Sequence, residues 1–314
     1  MNIDISIVIL SWNDREHLQG LLHSLRHCTR SRRVELIVVD NASTDGSPDM
    51  VELEFPAARV VRNHENLGFP RGNNLGIRLS RGKYIFVLNS DIKVLEGCVD
   101  ALADYLDVNT EVGMLGPKIL NADLSLQSSC RKFPTLWNNF CVATGLATTF
   151  KRSRIFSGEH MLYFRGDQTR DVDVLVGCFW VVRREALDEF GLLDEGFFIY
   201  AEDVDWCKRC WKSGWRVVFF PGAQAIHYRG ASTTKKDPVR FALTQQQSVL
   251  RYWKKHHSIF GRAGIRFIIF IHLSLRWLAS VVKYFIRRQH EEINVRLDVT
   301  SACLRALFAT QTSK

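Results

Sequence analysis

A chain of 314 residues, 46% hydrophobic and 24% charged, can bury one large α/β core plus an appendage, and its composition excludes a disordered or fibrous protein. The net charge of +9 is uneven: from Lys235 onward 15 Lys and Arg stand against 4 Asp and Glu, while the residues before are nearly neutral. A basic tail fits nucleic acid, an anionic membrane surface or a solvated face, and the residues between the charges must decide.

Taken in order, Ile3–Leu10 is an Ile/Val-rich run that predicts a buried strand, and Ser11-Trp-Asn-Asp14 offers an N-cap to a helix marked by Leu18, Leu21, Leu22 and Leu25. Val34–Val39 predicts a second strand ending at Asp40. The polar turn Asn41–Ser47 follows, with Pro48 suited to the first position of the next helix. Arg59–Arg62 is a short strand, and the loop from Asn63 to Gly76 leads into a helix to about Ser80. Tyr84–Leu88 is a fully apolar strand that runs into Asn89-Ser-Asp91, and a helix is expected from Glu96 to Leu106. Such alternation implies parallel strands covered by helices on both faces. Neither a Walker loop nor a dinucleotide fingerprint is present, although ligands in open α/β sheets collect beyond the carboxyl ends of the strands.

Val112–Leu120 predicts another strand. Ser125–Gln168 has no clear period and reads as a mobile insertion over the site. Asp171–Arg184 returns to the sheet through the strand Gly177–Val182, and Glu185–Phe190 is a helical turn. Ala201–Cys210 is an amphipathic helix with acids in its first turn. Trp215–Phe220 is the last strand, with His227 beyond it. Eight scattered cysteines suit a reducing compartment. Cys207-x-x-Cys210 reads as helix packing rather than zinc or redox chemistry, because no second Cys/His pair stands at ligand spacing. The first residues have no basic n-region, so no signal peptide is expected.

Four polar clusters fall at strand ends: Asp40, Asn66–Asn73, Asn89–Asp91, and Glu202–Asp203 with His227 after them. Singly each has an ordinary structural explanation, as a cap, a first-turn acid or a satisfied histidine. Their order along the chain carries the signal. The segments Val39–Ser47, Asn66–Gly76, Asn89–Asp91, Gly177–Glu185 and Phe197–Trp206 together resemble glycosyltransferase family 2, over about Ile5 to His227. Arg131–Pro134 and the helix around Ser248–His257 resemble its rhamnosyltransferase branch.

The resemblance implies a GT-A-type Rossmann-like mixed, mostly parallel sheet flanked by helices, with residues 1–234 as catalytic domain and 235–314 as a helical C-terminal region. Residues 1–110 would form the nucleotide-sugar half and 111–234 the acceptor half. It implies an inverting enzyme that moves a sugar, rhamnose being the best match, from a dTDP- or UDP-linked donor to a saccharide. The acceptor would be lipid-linked and used in bacterial cell-surface polysaccharide synthesis. Ser11, Asn13, Asp40, Asn66, Gly68, Arg71, Asn73, Asn89 and Ser90 would bind the nucleotide sugar, and Gly177, Cys178 and Trp180 the acceptor. Asp91 and His227 would hold Mg²⁺ or Mn²⁺. Asp203 would be the general base, with Glu202 as the neighbour that tunes or replaces it. Asn89 departs from the family's D-x-D, which removes one carboxylate from the metal site and puts strict metal dependence in question. A non-catalytic scaffold that binds nucleotide sugar or glycan is the alternative from another class.

Ile265–Arg288 places Arg266, Arg276, Lys283 and Arg287 along one stripe of a largely apolar helix. Arg276 in its middle disfavours a membrane span and favours a helix lying in the interface, on the inner face of the cytoplasmic membrane. The alternative is packing against the body or a second subunit, as in a homodimer. Bulky apolar aromatics without a recognition motif place nucleic acid last.

Overall fold

A computed structural model describes residues 3–26, 32–228, 237–286 and 290–309; Cys28, Arg287 and Arg288 lie outside them. The first half alternates as expected: β1 Ile5–Ser11, α1 Arg15–Leu25, β2 Val34–Asp40, α2 Ser47–Glu54, β3 Arg59–Arg62, α3 Phe69–Leu79 and β4 Tyr84–Asn89. Then come β5 Ile92–Val94, α4 Cys98–Val108, β6 Val112–Leu120, β7 Cys130–Arg131, α5 Leu136–Ala143 and α6 Leu146–Thr149. The second half holds β8 Arg170–Asp171, β9 Val174–Leu175, β10 Phe179–Arg183, α7 Arg184–Phe190, α8 Glu202–Lys212 and β11 Arg216–His227. Three long helices close the chain: α9 Pro238–His256, α10 Ile259–Ile286 and α11 His290–Phe308.

The chain forms two compact units. The first comprises Met1–Phe133, His160–Phe198 and Glu202–Ala231, and contains the sheet in the order β3-β2-β1-β4-β10-β6-β11-β5, with β8 added beside β11. β1, β2, β3, β4, β6 and β11 run one way while β5, β8 and β10 reverse, so the sheet is mixed and mostly parallel. β4 is covered on both faces: Tyr84 to Leu88 are all buried, as a continuous apolar run in a central strand requires. The core runs from Ile5, Ile7 and Ile9 through Phe86 and Leu88 to Val181 and Val218, with α1 and α4 contributing Leu18, Leu22, Leu102 and Leu106.

The second unit comprises Pro134–Glu159, Ile199–Ala201 and Ser232–Lys314. Here the segment expected to lack regular structure contains α5 and α6. The α5 N-terminus is capped by Thr135, whose side chain accepts from Asn138 N. Sequence periodicity missed these helices because they span only one or two turns, too few for an apolar stripe to repeat. α10 is 28 residues long, with a mean hydropathy of 1.7 over its most apolar stretch, of which 22% is buried; by length and composition it could cross a membrane. Arg266 donates from Nη1 to Leu307 O at 2.8 Å, satisfying a carbonyl at the end of α11. This guanidinium therefore does not extend freely from the stripe read in the sequence.

α8 carries acids in its first turn and is clamped by one of its own cations. Asp205 is wholly buried and accepts from Arg209 Nε at 2.9 Å. Arg209 also donates to Leu192 O at 2.7 Å and to Phe190 O, tying down the chain after α7. Cys207 and Cys210 are buried thiols; burial pushes Cys210 up to about 12 and Cys207 well above its ordinary value, which suits packing. Arg209→Ala takes the cation from a carboxylate with no access to water, and a loss of about 3 kcal/mol in unfolding free energy is expected by denaturant titration.

Candidate active site

Strand register gathers the first group of polar residues at one edge of the sheet. Ser11 pairs with Asp40 across β1 and β2, and Leu10 pairs with Asn89 across β1 and β4, so all three strands end together. Asp40 is buried; Oδ2 accepts from Ser43 N at 3.0 Å, which makes it the anchor of a turn rather than a helix cap. Its Oδ1 and the Ser11 hydroxyl are buried without a partner. Two orphaned polar atoms side by side at a carboxyl edge suit a ligand that donates to one and accepts from the other. Asn13 closes the same turn: Oδ1 accepts from Thr44 N at 2.7 Å, and its own N–H donates to Ser43 Oγ.

The loop before α3 is shaped by an asparagine that sequence reasoning had not singled out. Asn41 donates to Asn66 Oδ1 at 2.9 Å and accepts from Leu67 N, while Asn66 Oδ1 also accepts from Gly68 N. Asn66 thus spends its oxygen on the turn. Gly68 has φ +81, and a β-carbon there would lie 2.7 Å from the Phe198 ring and its carbonyl oxygen, so no other residue fits. Asn73 is buried, donating to Phe69 O and leaving Oδ1 without a partner. Arg71 is half-exposed, with Nε 3.7 Å from Glu195.

Asp91 and His227, 136 positions apart in the chain, face each other. β11 runs antiparallel to β5 with His227 opposite Ile92, which places His227 inside a strand rather than beyond it, and Nε2 stands 3.2 Å from Asp91 Oδ1. A carboxylate oxygen and an imidazole nitrogen at this separation are a donor set that first-row divalent ions accept, and two protein ligands leave room for diphosphate oxygens and water. The site therefore fits the metal that the resemblance implies. Nδ1 of His227 lies 2.7 Å from Gln127 Oε1, in the segment whose sequence had no period.

Asp14, expected to cap α1, makes no cap bond. It accepts from Ser90 Oγ and from His17 Nδ1, both at 2.6 Å. Burial pushes its carboxyl above the ordinary value, the two hydrogen bonds pull the other way, and the Asp91 charge adds to the upward push. The carboxylate absent at Asn89 is thus matched by another that reaches the same turn from α1.

Glu202 and Asp203 open α8 after Tyr200 and Ala201, both of which have left-handed φ. Glu202 is buried with Oε2 unpartnered, and burial, with the neighbouring Asp203 charge, drives it well above the ordinary carboxylate range. A β-carbon at Gly177 would lie 3.7 Å from that of Asp203, and Asn89 N donates to Cys178 O at 3.0 Å. This short path connects Asp203 to the Asn89–Asp91 turn. Trp180 is fully buried, donating to Leu175 O and packing edge-on to Trp206, and Cys178 is buried as well. These two side chains therefore pack within the core, and the Trp180 ring has no face open to solvent.

A family model described as "Glycosyl transferase family 2" matches residues 6–191. The chain belongs to glycosyl transferase family 2. It is similar to the N-acetylglucosaminyl-diphospho-decaprenol L-rhamnosyltransferase of Mycobacterium tuberculosis, 29% identical over 87% of this chain and 91% of that protein. It is also similar to the dTDP-rhamnosyl transferase RfbF of Shigella flexneri, 22% identical over 95% and 96% of the two chains. The mannosyltransferase PcManGT of Pyrobaculum calidifontis, solved with GDP-Man and Mn²⁺, shares the fold of this glycosyltransferase. The TM-score is 0.58 at 14% identity, over 99% of this chain and 89% of that one.

Ionised Asp14 opposes folding of this glycosyltransferase at neutral pH, because its folded value is raised; the opposition is absent below the unfolded value and complete above the folded one. Asp14→Asn should therefore raise Tm, and the gain over wild type should widen as pH climbs from 4 to 8 in calorimetric scans.

Proposed function

We propose that this glycosyltransferase inverts the anomeric centre of rhamnose as it transfers the sugar from a dTDP-linked donor to a saccharide carried on a prenyl diphosphate, in the synthesis of a bacterial surface polysaccharide. The observation that supports the reading is that strand register brings Asp40, the Asn89–Asp91 turn and His227 to one end of the sheet, while Asp203 packs beside Gly177, whose neighbour Cys178 accepts from Asn89 N. The names of the two relatives favour rhamnose, a dTDP donor and a lipid-linked acceptor.

Asp40 Oδ1 accepts a hydrogen bond from the base or ribose of the donor, and the Ser11 hydroxyl supports the same nucleoside. Asn13 and Asn66 hold the two loops that flank it, and Gly68 lets the backbone come close. Arg71, Asn73, Asn89 and Ser90 line the sugar-diphosphate path. Asp91 and His227, 3.2 Å apart, would hold the divalent cation. When bound, that cation stabilises the negative charge that grows on the departing diphosphate. Asp203 removes the proton of the acceptor hydroxyl as its oxygen attacks the anomeric carbon from the face opposite the diphosphate. One displacement inverts the centre and needs no enzymic nucleophile. Burial and the neighbouring Asp203 charge push Glu202 well above the ordinary carboxylate range, which disfavours Glu202 as the ionised base.

Asp203→Asn is expected to lower kcat by about two to four powers of ten, whereas Glu202→Gln, which copies a neutral side chain, keeps it within about tenfold. The readout is dTDP released in a coupled assay with a prenyl-linked acceptor. Full activity in Asp203→Asn would remove the assigned base.

The membrane reading rests on α10. Phe260, Phe267, Leu278 and Phe285 are exposed along one side of this helix, which carries Arg262, Arg266, Arg276 and Lys283 and no acid. Such a helix lies in the headgroup region of an anionic bilayer, on the cytoplasmic side where nucleotide sugars are available. The protein should float with vesicles containing phosphatidylglycerol and much less with phosphatidylcholine alone, and Leu278→Glu with Phe285→Glu should abolish flotation. Alkaline carbonate separates an interfacial helix, which is released, from a spanning one, which is retained.

A further inference from the structure

We propose that Gln127 is a positioning residue for the metal site, setting which nitrogen of His227 is presented to the cation; this rests on the reading of Asp91 and His227 as metal ligands. Gln127 is buried, and its amide orientation follows from its neighbours. Asn121 donates through Nδ2 to Ser125 Oγ at 2.9 Å, which turns its own Oδ1 toward Gln127. Only the NH₂ of Gln127 can meet that oxygen, at 2.8 Å. The same NH₂ reaches the main-chain oxygen of His227 at 3.2 Å. Oε1 is then the atom left to face the ring, 2.7 Å from Nδ1.

An amide oxygen only accepts, so Nδ1 carries a hydrogen and Nε2 is the nitrogen left with a lone pair for a metal. Nε2 is also the nitrogen 3.2 Å from Asp91 Oδ1. Gln127 therefore holds both the backbone and the ring of one histidine, and it selects the tautomer that points a lone pair at the space shared with Asp91. Hydrogen bonds of this kind to the far nitrogen of a ligating histidine contribute roughly 10- to 100-fold to metal affinity. Gln127 itself is set by the main chain: its N–H donates to Ile119 O at 2.9 Å, so the segment leaving β6 lies alongside that strand's end. With a single carboxylate at the Asn89–Asp91 turn, orientation of the second ligand bears a larger share of the affinity.

Mn²⁺ binding to the full chain, followed by electron paramagnetic resonance of the free ion without any substrate, tests this. Gln127→Met, close in volume and unable to accept from Nδ1, should weaken Mn²⁺ binding about 10- to 100-fold, whereas Gln127→Glu, which accepts from the same hydrogen, should stay within a few-fold of wild type; both lose the donor to Asn121 Oδ1 and His227 O, so both should lower Tm and only the Mn²⁺ affinity separates them. His227→Ala serves as the control. If it binds Mn²⁺ like wild type, the metal reading itself fails. If it loses Mn²⁺ but Gln127→Met does not, only the role of Gln127 is overturned. ¹⁵N-histidine spectra of the wild-type protein, taken about two units above the ordinary histidine pKa, give an answer even if a variant fails to fold. A His227 imidazole with hydrogen on Nδ1 supports the assignment, and one with hydrogen on Nε2 overturns it.

Discussion

The antiparallel pairing of β11 with β5 is the contact on which the site depends. β5 is only three residues long, and it follows Asp91 directly. Pairing Ile92 with His227 therefore fixes the imidazole one residue from the carboxylate, and Tyr228 N closes the arrangement by donating to Asp91 O at 3.0 Å. A one-residue slip in that register would turn His227 to the other face of the sheet. The apolar, buried body of β4 leads into the turn on one side, and the end of β11 pairs with β5 on the other.

Buried polar atoms without partners recur in the segments that carry the candidate site residues. Ser11 Oγ, Asp40 Oδ1, Asn73 Oδ1 and Glu202 Oε2 are all buried and unsatisfied, each at about 1–3 kcal/mol of desolvation. Left-handed backbone occurs at Asn13 and Ala42 in the first two turns and at Tyr200 and Ala201 before Glu202, as well as at Leu124 and Met161. Unsatisfied groups and strained backbone persist when surrounding packing over-determines them. Here the packing is the apolar sheet core beneath and, around α8, the Arg209 clamp on Asp205 and on the 190–192 carbonyls. Within the second unit, Ser248 donates to Ile199 O at 2.8 Å and Phe241 packs edge-on to Tyr200, so α9 holds the residues that precede the two carboxylates.

Charge at the site is arranged by burial more than by pairing. Asp14 and Glu202 both have folded values raised by desolvation, and neither forms an ion pair with Lys or Arg among the described residues. An excess of carboxylate at one end of the sheet is unfavourable by itself and favourable with a cation present. Asp14 reaches the Asn89–Asp91 turn through Ser90, which accounts physically for how a chain with Asn in place of the first acid keeps negative charge there.

Much of this architecture was legible in the chain. The Ile/Val-rich run Ile3–Leu10 and the continuous apolar run Tyr84–Leu88 announce buried parallel strands, and the ordered polar clusters at strand ends carry the family resemblance. These are local properties, written in consecutive residues. Asp14 looked like a helix cap, Trp180 like an acceptor platform and Gln127 like part of a loop without pattern, because their roles lie in hydrogen bonds and ring contacts to distant positions. Asp14 meets Ser90 across 76 residues and Gln127 meets His227 across 100, separations at which composition and period carry no information. Sequence alone determined the sheet and the family; tertiary pairing alone decided which polar side chains meet and which support them, since only folding gives a buried polar atom its partner.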